Sequence, residues 1–106
     1  MMVPEQRPMG GPMDVTVTKA DGRYEARVGD RPAGLMDYRD ENRLMVITHT
    51  EVAPEFEGHG VGGALVRTAL DEWRKEGRRV LPLCPFAKAW IERHPEYADL
   101  VTRKHP

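Results

Sequence analysis

The first half of the chain alternates β-branched and apolar residues with polar ones between turn signals, which predicts an antiparallel meander. The predicted strands are residues 15–18, 24–28, 33–38 and 44–52. Asp21-Gly22 is a hairpin signal between the first two strands, and the polar run 39–42 marks the turn before the fourth. The strand at 44–52 begins apolar on both faces, which is typical of a strand covered on both sides.

The second half changes to a helical period. The predicted elements are a glycine-rich turn at 55–63, a helix at 64–76, a strand at 80–83, a helix at 86–93 and a last turn at 96–101. The first helix has an apolar stripe made of Leu65, Val66, Ala69, Leu70 and Trp73. Because this helix connects them, the strands at 44–52 and 80–83 are predicted to run parallel. Pro85 occupies a favourable first position for the second helix.

Composition places the chain among globular single domains. Its 106 residues are 40% hydrophobic and 31% charged, which excludes the disordered and fibrous classes. Residues 1–13 are rich in Pro, Gly and Met and have no periodicity, so we expect a flexible N-terminal tail there. A single compact domain is then expected at residues 14–102.

Charge and cysteine content exclude several functions. Sixteen basic and seventeen acidic residues give a net charge of −1, whereas a nucleic-acid-binding protein usually has a basic excess. No apolar run is long enough to span a membrane, and no signal peptide opens the chain. The single cysteine, Cys84, excludes an internal disulfide, and the four histidines lack metal-ligand spacing. We therefore expect a cytoplasmic protein without nucleic acid, membrane or metal as a partner.

The glycine-rich segment before the first helix is the strongest candidate for a ligand site. Its glycines let the backbone approach a ligand and present N–H groups to an anion at the positive helix end. A Walker A loop is excluded, because Ala64-Leu65 stand where Lys and Ser or Thr are needed. Residues 58–63 match the dinucleotide pattern G-x-G-x-x-G, but the acidic residue expected about 20 positions later is missing. A glycine turn that only packs helix against strand is the alternative without a ligand.

Residues 52–65 resemble the acyl-CoA pyrophosphate loop of the GNAT N-acetyltransferase superfamily. Its core, Gln/Arg-x-x-Gly-x-Gly/Ala, corresponds to residues 57–62, with Glu57 where Gln or Arg is usual. Three segments are similar to motifs of small stand-alone GNAT-like proteins: residues 49–52, 83–86 and 94–97. The resemblance covers nearly all of residues 15–101. It implies an α+β or α/β GNAT-like fold, in which a mixed sheet with an antiparallel N-terminal meander leads into a β-α-β acyl-CoA-binding unit.

This resemblance implies that the cofactor is acetyl-CoA, or coenzyme A. In the family, the fourth and fifth strands separate and the pantetheine arm lies between them. Backbone groups of Val52 and Ala53 would bind the pantetheine, and backbone N–H groups of the loop would receive the pyrophosphate. The implied cofactor-binding residues are Val52, Ala53, Glu57, Gly58, His59, Gly60, Val61, Gly62 and Gly63.

The resemblance also implies transfer of the acetyl group to a primary amine by direct attack. Such a reaction needs a base for the incoming ammonium, a donor for the thioester oxygen and a proton for the leaving thiolate. Glu51 is the candidate base, because related enzymes often use a glutamate on the fourth strand. His49 shares its face at a spacing of two residues. Thr48 and Thr50 point to the opposite face and are expected to be structural.

Cys84 is the third catalytic candidate. It directly precedes a proline-initiated helix, a position at which the helix N-terminus favours a thiolate. In the resembled family this places a thiol near the cofactor sulfur. There Cys84 would protonate the leaving thiolate, accept the acyl group or form a mixed disulfide with CoA. The alternatives for the three catalytic candidates are an ordinary strand carboxylate, a structural histidine and a small buried hydrophobic residue.

The acceptor is the least defined part of this prediction. Larger GNAT enzymes build part of the acceptor pocket between the first two strands, where this chain has only residues 20–23. The acceptor groove is therefore open, or completed by another protein or by a second copy in a homodimer. A CoA-binding or sensing module with little catalysis, using Cys84 as a reactive thiol, is the second class. A nicotinamide-cofactor protein, based on the weak glycine match, is the third.

A thiol hydrolase is a further alternative. A pair formed by Cys84 and His94 is disfavoured, because the helical residues between them span about 13 Å at 1.5 Å per residue. His49, in contrast, could reach Cys84 across neighbouring strands.

Overall fold

The computed structural model describes residues 14–102, so the tail expected at residues 1–13 lies outside the described residues. The strands are β1 (Val15–Ala20), β2 (Arg23–Val28), β3 (Arg31–Glu41), β4 (Leu44–Val52) and β5 (Arg79–Pro82). The α-helices are α1 (Val61–Lys75) and α2 (Pro85–Glu92), and 3₁₀ helices lie at Pro54–Phe56 and Pro95–Leu100. No helix within residues 14–102 is long and apolar enough to cross a membrane.

The five strands form one mixed sheet in the order β1-β2-β3-β4-β5. The first four strands pair antiparallel, and β5 pairs parallel with β4. The predicted meander and the predicted parallel strand are both confirmed, and β4 has the predicted bounds. A doubly wound sheet, which the dinucleotide pattern requires, is excluded by this strand order.

Two predicted boundaries are wrong by three residues, and the others differ by at most two. The turn expected at residues 39–42 is shorter, because β3 continues to Glu41 and the chain reverses at Asn42 and Arg43. Both turn residues have a positive φ, and the Asp40 carboxylate accepts a hydrogen bond from the Arg43 amide. The first helix begins at Val61 rather than at residue 64. The second and third of its residues are glycines, which weakened the helical pattern there without preventing the helix.

The core lies between one face of the sheet and α1. All five residues of the predicted apolar stripe are buried, and Trp73 is fully buried. The Trp73 ring meets Tyr38 and Tyr24 edge-on, at centroid distances of 5.3 and 5.9 Å. Aromatic pairs of this geometry contribute about 0.5–1.5 kcal/mol each beyond area burial. The stripe predicted from spacing is therefore the surface that joins α1 to the sheet.

A β-bulge in β4 decides which side chains face this core. Asp37 of β3 pairs with His49, whereas the next residue, Tyr38, pairs with Ile47, so Thr48 is an extra residue in β4. The Thr48 hydroxyl donates to the carbonyl oxygen of Asp37 at 3.3 Å. Ile47 faces α1, but beyond the bulge the alternation resumes with His49 on the opposite face.

The Tyr24 hydroxyl generates a prediction about alkaline stability. This fully buried side chain donates to Glu72 Oε1 at 2.7 Å, and burial first, then that hydrogen bond, raises its pKa. Because its pKa is higher in the folded state, the Tyr24 hydroxyl stabilises the fold fully below the unfolded-state pKa of about 10. This stabilisation is lost as the pH rises towards the folded-state pKa. We expect Tyr24→Phe to lower the free energy of unfolding by about 0.5–1.5 kcal/mol at pH 8.

The difference in the free energy of unfolding between wild type and Tyr24→Phe should shrink above pH 10, as measured by urea unfolding at pH 8 and pH 11. Tyr38→Phe is the matched control, because Tyr38 packs beside Tyr24 at a centroid distance of 5.4 Å and has no hydroxyl partner among residues 14–102. A Tyr24→Phe difference that stays constant between the two pH values would contradict the prediction.

Candidate functional site

A cavity of about 540 Å³ lies between the end of β4, the N-terminus of α1 and the first turns of α2. Seven of the nine expected cofactor-binding residues line it: Val52, Glu57, Gly58, Gly60, Val61, Gly62 and Gly63. Thr50, Phe86, Trp90 and Arg93 line it as well. Ala53 and His59 do not. A second cavity, of about 590 Å³, lies beside β5, α2 and the last 3₁₀ helix and contains none of the candidate residues.

The N-terminus of α1 points its free amides at the first cavity. Gly60 is the N-cap residue with φ 82°, it has no capping side chain, and no acidic residue occupies the first turn. The Ala64 amide makes the first helical hydrogen bond, to the Gly60 carbonyl at 3.0 Å. The amides of residues 61–63 precede it and so have no acceptor within the helix. An uncapped helix N-terminus of this kind is a binding site for an anion.

The glycines of the loop have two different physical roles. Gly58 and Gly60 have φ near +82°, and a Cβ on either would meet no atom within 4 Å. A Cβ on Gly62 would instead lie 2.5 Å from the Phe86 ring, and one on Gly63 would lie 2.9 Å from Trp90 Nε1. The first pair therefore shapes the loop, and the second pair lets α2 pack closely on α1.

The strands β4 and β5 separate beside this cavity. Their pairing ends at Ile47 and Pro82, and the amides of Leu83 and Cys84 both donate to the Ile47 carbonyl, at 3.0 and 3.1 Å. Within residues 14–102, residues 48–52 of β4 continue without a strand partner on the β5 side. The separation that the family resemblance implied is therefore present.

Cys84 and Thr50 meet on the cavity side of this gap. Cys84 is the N-cap residue of α2 and is only 5% exposed. Its Sγ donates to Thr50 Oγ1 at 3.4 Å. Thr50 pairs with buried Met36 in β3, so both side chains face α1. Thr50, which sequence reasoning set aside as structural, is thus a residue of the cavity wall.

His49 and Glu51 lie together on the other face of β4. Their side chains are 52% and 62% exposed, and His49 Nε2 lies 2.8 Å from Glu51 Oε2. The predicted shared face of these residues is correct. The structure does not bring His49 to Cys84, because adjacent strand residues point to opposite faces and Cys84 contacts Thr50. The catalytic candidates therefore lie on both sides of one strand.

The motif at residues 94–97 holds the cavity wall in place. The His94 ring stacks on Trp90 with centroids 3.7 Å apart, and its Nδ1 lies 2.7 Å from the Trp90 carbonyl oxygen. The Tyr97 hydroxyl donates to Asp71 at 2.7 Å and accepts from Arg67 at 3.2 Å. Burial, and then the bond to Asp71, raises the pKa of Tyr97. His94 is therefore engaged with Trp90, not with a cysteine.

The mixed sheet, the separated strands and the helix with free N-terminal amides form the architecture that the family resemblance implied. A model of GCN5-related N-acetyltransferases matches residues 23–100, more than half of the chain. The chain belongs to the GCN5-related N-acetyltransferase family. The resemblance on which the sequence analysis rested is confirmed.

Individual relatives agree with this assignment. An uncharacterized N-acetyltransferase of Methanocaldococcus jannaschii is 34% identical over 71 residues, which cover 59% of this chain and 31% of that protein. This chain thus spans less than a third of that relative.

Solved structures show the same fold. A GCN5-like protein of Staphylococcus aureus superposes with a TM-score of 0.68 at 23% identity over 85% of this chain and 90% of its own. A GNAT acetyltransferase of Brucella melitensis, solved with acetyl-CoA, superposes with a TM-score of 0.52 at 24% identity over 57% and 44%.

The contact between Gly62 and Phe86 is testable. Gly62→Ala places a methyl group against the ring, so we expect it to lower the free energy of unfolding by about 1–3 kcal/mol. In a Phe86→Leu background the methyl group has room, and the loss should largely disappear. Urea unfolding of the four chains of this double-mutant cycle gives the coupling. Equal losses of unfolding free energy in both backgrounds would show that contact with the Phe86 ring is not the cause of the destabilisation.

Proposed function

We propose that this chain binds acetyl-CoA in the cavity at the N-terminus of α1 and transfers the acetyl group to a primary amine. The observation that carries the proposal is the juxtaposition of uncapped helix amides with the gap between β4 and β5. When bound, the cofactor supplies the acetyl group as a thioester. The acetyl-CoA complex of the Brucella melitensis relative supports this choice of ligand.

The residues of the cavity fit such a ligand. The amides of residues 61–63 would hold the pyrophosphate, and no carboxylate in the first turn opposes its charge. Glu57, which departs from the family pattern, is the acidic residue of the cavity wall, and Arg93 adds a positive charge there. The backbone of Val52 and the side chain of Thr50 would line the path of the pantetheine arm.

The amine would approach from the opposite face of the sheet. Glu51 and His49 lie on that face, where Glu51 would accept the proton of the incoming ammonium and His49 would orient the carboxylate. Asp37, the strand partner of His49, is paired with Arg23 at 2.6 Å and so is less available as a base. A base on one face and a thioester reaching through the gap from the other are suited to direct attack.

A binding or sensing module is the second candidate function. The observation that favours it is the high exposure of His49 and Glu51, which leaves the base without an enclosed acceptor pocket. Such a module would bind acetyl-CoA without turning it over. The acetylation assay below separates it from an enzyme.

Thermal melts with and without acetyl-CoA test the binding step, with NAD and NADP as controls. At 100 times its Kd a ligand adds about 2.7 kcal/mol, which raises Tm by about 10–20 °C in a domain of this size. Gly60→Ala should greatly reduce this shift, because a φ of 82° is strained for alanine and the N-cap backbone that positions the helix amides would have to move. Gly29→Ala is the matched control, with φ 61° and equally open surroundings. No shift in the wild type would refute the proposed ligand.

Glu51→Gln tests catalysis. We expect turnover, followed as free thiol released over a panel of primary amines, to fall by about 10²-fold or more, the usual contribution of a general base. The melt shift with acetyl-CoA should be unchanged. Glu25→Gln is the matched control, because Leu35 pairs with both glutamates and so places Glu25 on the same face. Full binding with no turnover on any amine would favour the binding module.

A further inference from the structure

The hydroxyl of Thr50 is the polar side-chain group of β4 that faces the gap from the cavity side. Resting on the proposed function, we propose that Thr50 donates the proton to the leaving thiolate and that Cys84 replaces it from behind. This assigns to Thr50 a catalytic role that sequence reasoning gave to Cys84 alone.

The positions of the two side chains carry the argument. Thr50 lines the cavity, whereas Cys84 is 5% exposed and does not line it. Cys84 Sγ lies 3.4 Å from Thr50 Oγ1, so the thiol can donate a hydrogen bond to the hydroxyl oxygen. When the thiol donates, the Thr50 oxygen is the acceptor and the hydroxyl hydrogen can point into the cavity. The donor nearest the gap is therefore the hydroxyl, with the thiol behind it.

The backbone holds both groups in place. The Cys84 amide is bonded to the Ile47 carbonyl, which fixes the start of α2 against β4. Thr50 is β-branched and lies in a strand paired with β3, so its side chain has few rotamers. The bulge at Thr48 places Thr50 on the cavity side.

The proton transfers balance. As the amine nitrogen bonds to the acetyl carbon, the carbon–sulfur bond breaks and its electron pair leaves on sulfur. Thr50 Oγ1 gives its proton to that sulfur and receives the proton of Cys84 Sγ. The chain is left with an intact threonine and a Cys84 thiolate at the N-terminus of α2, where the helix dipole stabilises negative charge. The nitrogen of the ammonium loses two protons on becoming an amide: Glu51 accepts the first before attack, and the second passes to solvent as the new bond forms. Water returns a proton to Cys84, so that one proton in all is released for each acetyl group transferred.

A hydroxyl by itself is too weak an acid for this role. A thiol is a far stronger acid than an alkyl hydroxyl. In this two-residue relay Cys84 therefore supplies the acidic proton, and Thr50, which lines the cavity, passes a proton to the leaving sulfur. Direct donation by Cys84 differs in its consequence, because it does not require the Thr50 hydroxyl.

Thr50→Val and Thr50→Ser test the relay in the acetylation assay. Valine keeps the shape and removes the hydroxyl, so we expect kcat to fall by about 10²-fold, with KM for acetyl-CoA and the melt shift within about twofold of wild type. Serine should restore most of kcat. Thr18→Val, on exposed β1, is the control for replacing a strand threonine. Wild-type kcat in Thr50→Val, or loss of kcat in Thr50→Val that serine does not restore, would overturn the proposal.

Alkylation of Cys84 by iodoacetamide tests the same contact without cofactor. Cys84 is the single cysteine of the chain, so the rate reports on it alone. Thr50→Val removes the hydroxyl that can donate to the thiolate, and we expect alkylation at pH 7.5 to slow by about tenfold, the effect of one hydrogen bond to a charged group. Serine should restore the rate. Equal rates in the three proteins would overturn the relay even if the wild type failed to bind acetyl-CoA.

Discussion

The rest of the site depends on one extra residue in β4. Met45 and Ile47 face the core, and strict alternation from them would place His49 and Glu51 against α1, where two titratable groups would lose their hydration. The bulge at Thr48 removes this conflict by shifting the alternation by one residue. A neutral hydroxyl then faces the cavity, and the titratable pair faces solvent. The bulge therefore separates the two chemistries of the site.

A second constraint is the way in which α2 is tied to β4 and α1. The Ile47 carbonyl accepts the amides of both Leu83 and Cys84, so β5 stops at this point while β4 continues. The glycines at the start of α1 let the aromatic residues of α2 approach its first turn. The opening between the strands and the free helix amides consequently share one cavity.

The distribution of groups about β4 relates the fold to the proposed reaction. The thiol and the hydroxyl lie on the side of the helix amides, and the imidazole and the carboxylate lie on the other side. A group transferred through the gap would pass from the first environment to the second. The turn at Asp21-Gly22 joins β1 and β2 directly, so no helix inserted between these two strands covers the second environment.

The sequence by itself determined the features that have a local period. The bounds of β4, the apolar stripe of α1, the glycine loop and the shared face of His49 and Glu51 all follow from spacing along the chain. The family also followed from short motifs in order. Only the tertiary structure decided which face of β4 meets the cavity, because a bulge is a mismatch of register between two strands and leaves no periodic signal in either. The contact of Thr50 with Cys84 depends in the same way on residues that are distant in the chain, and local patterns carry no information about such contacts.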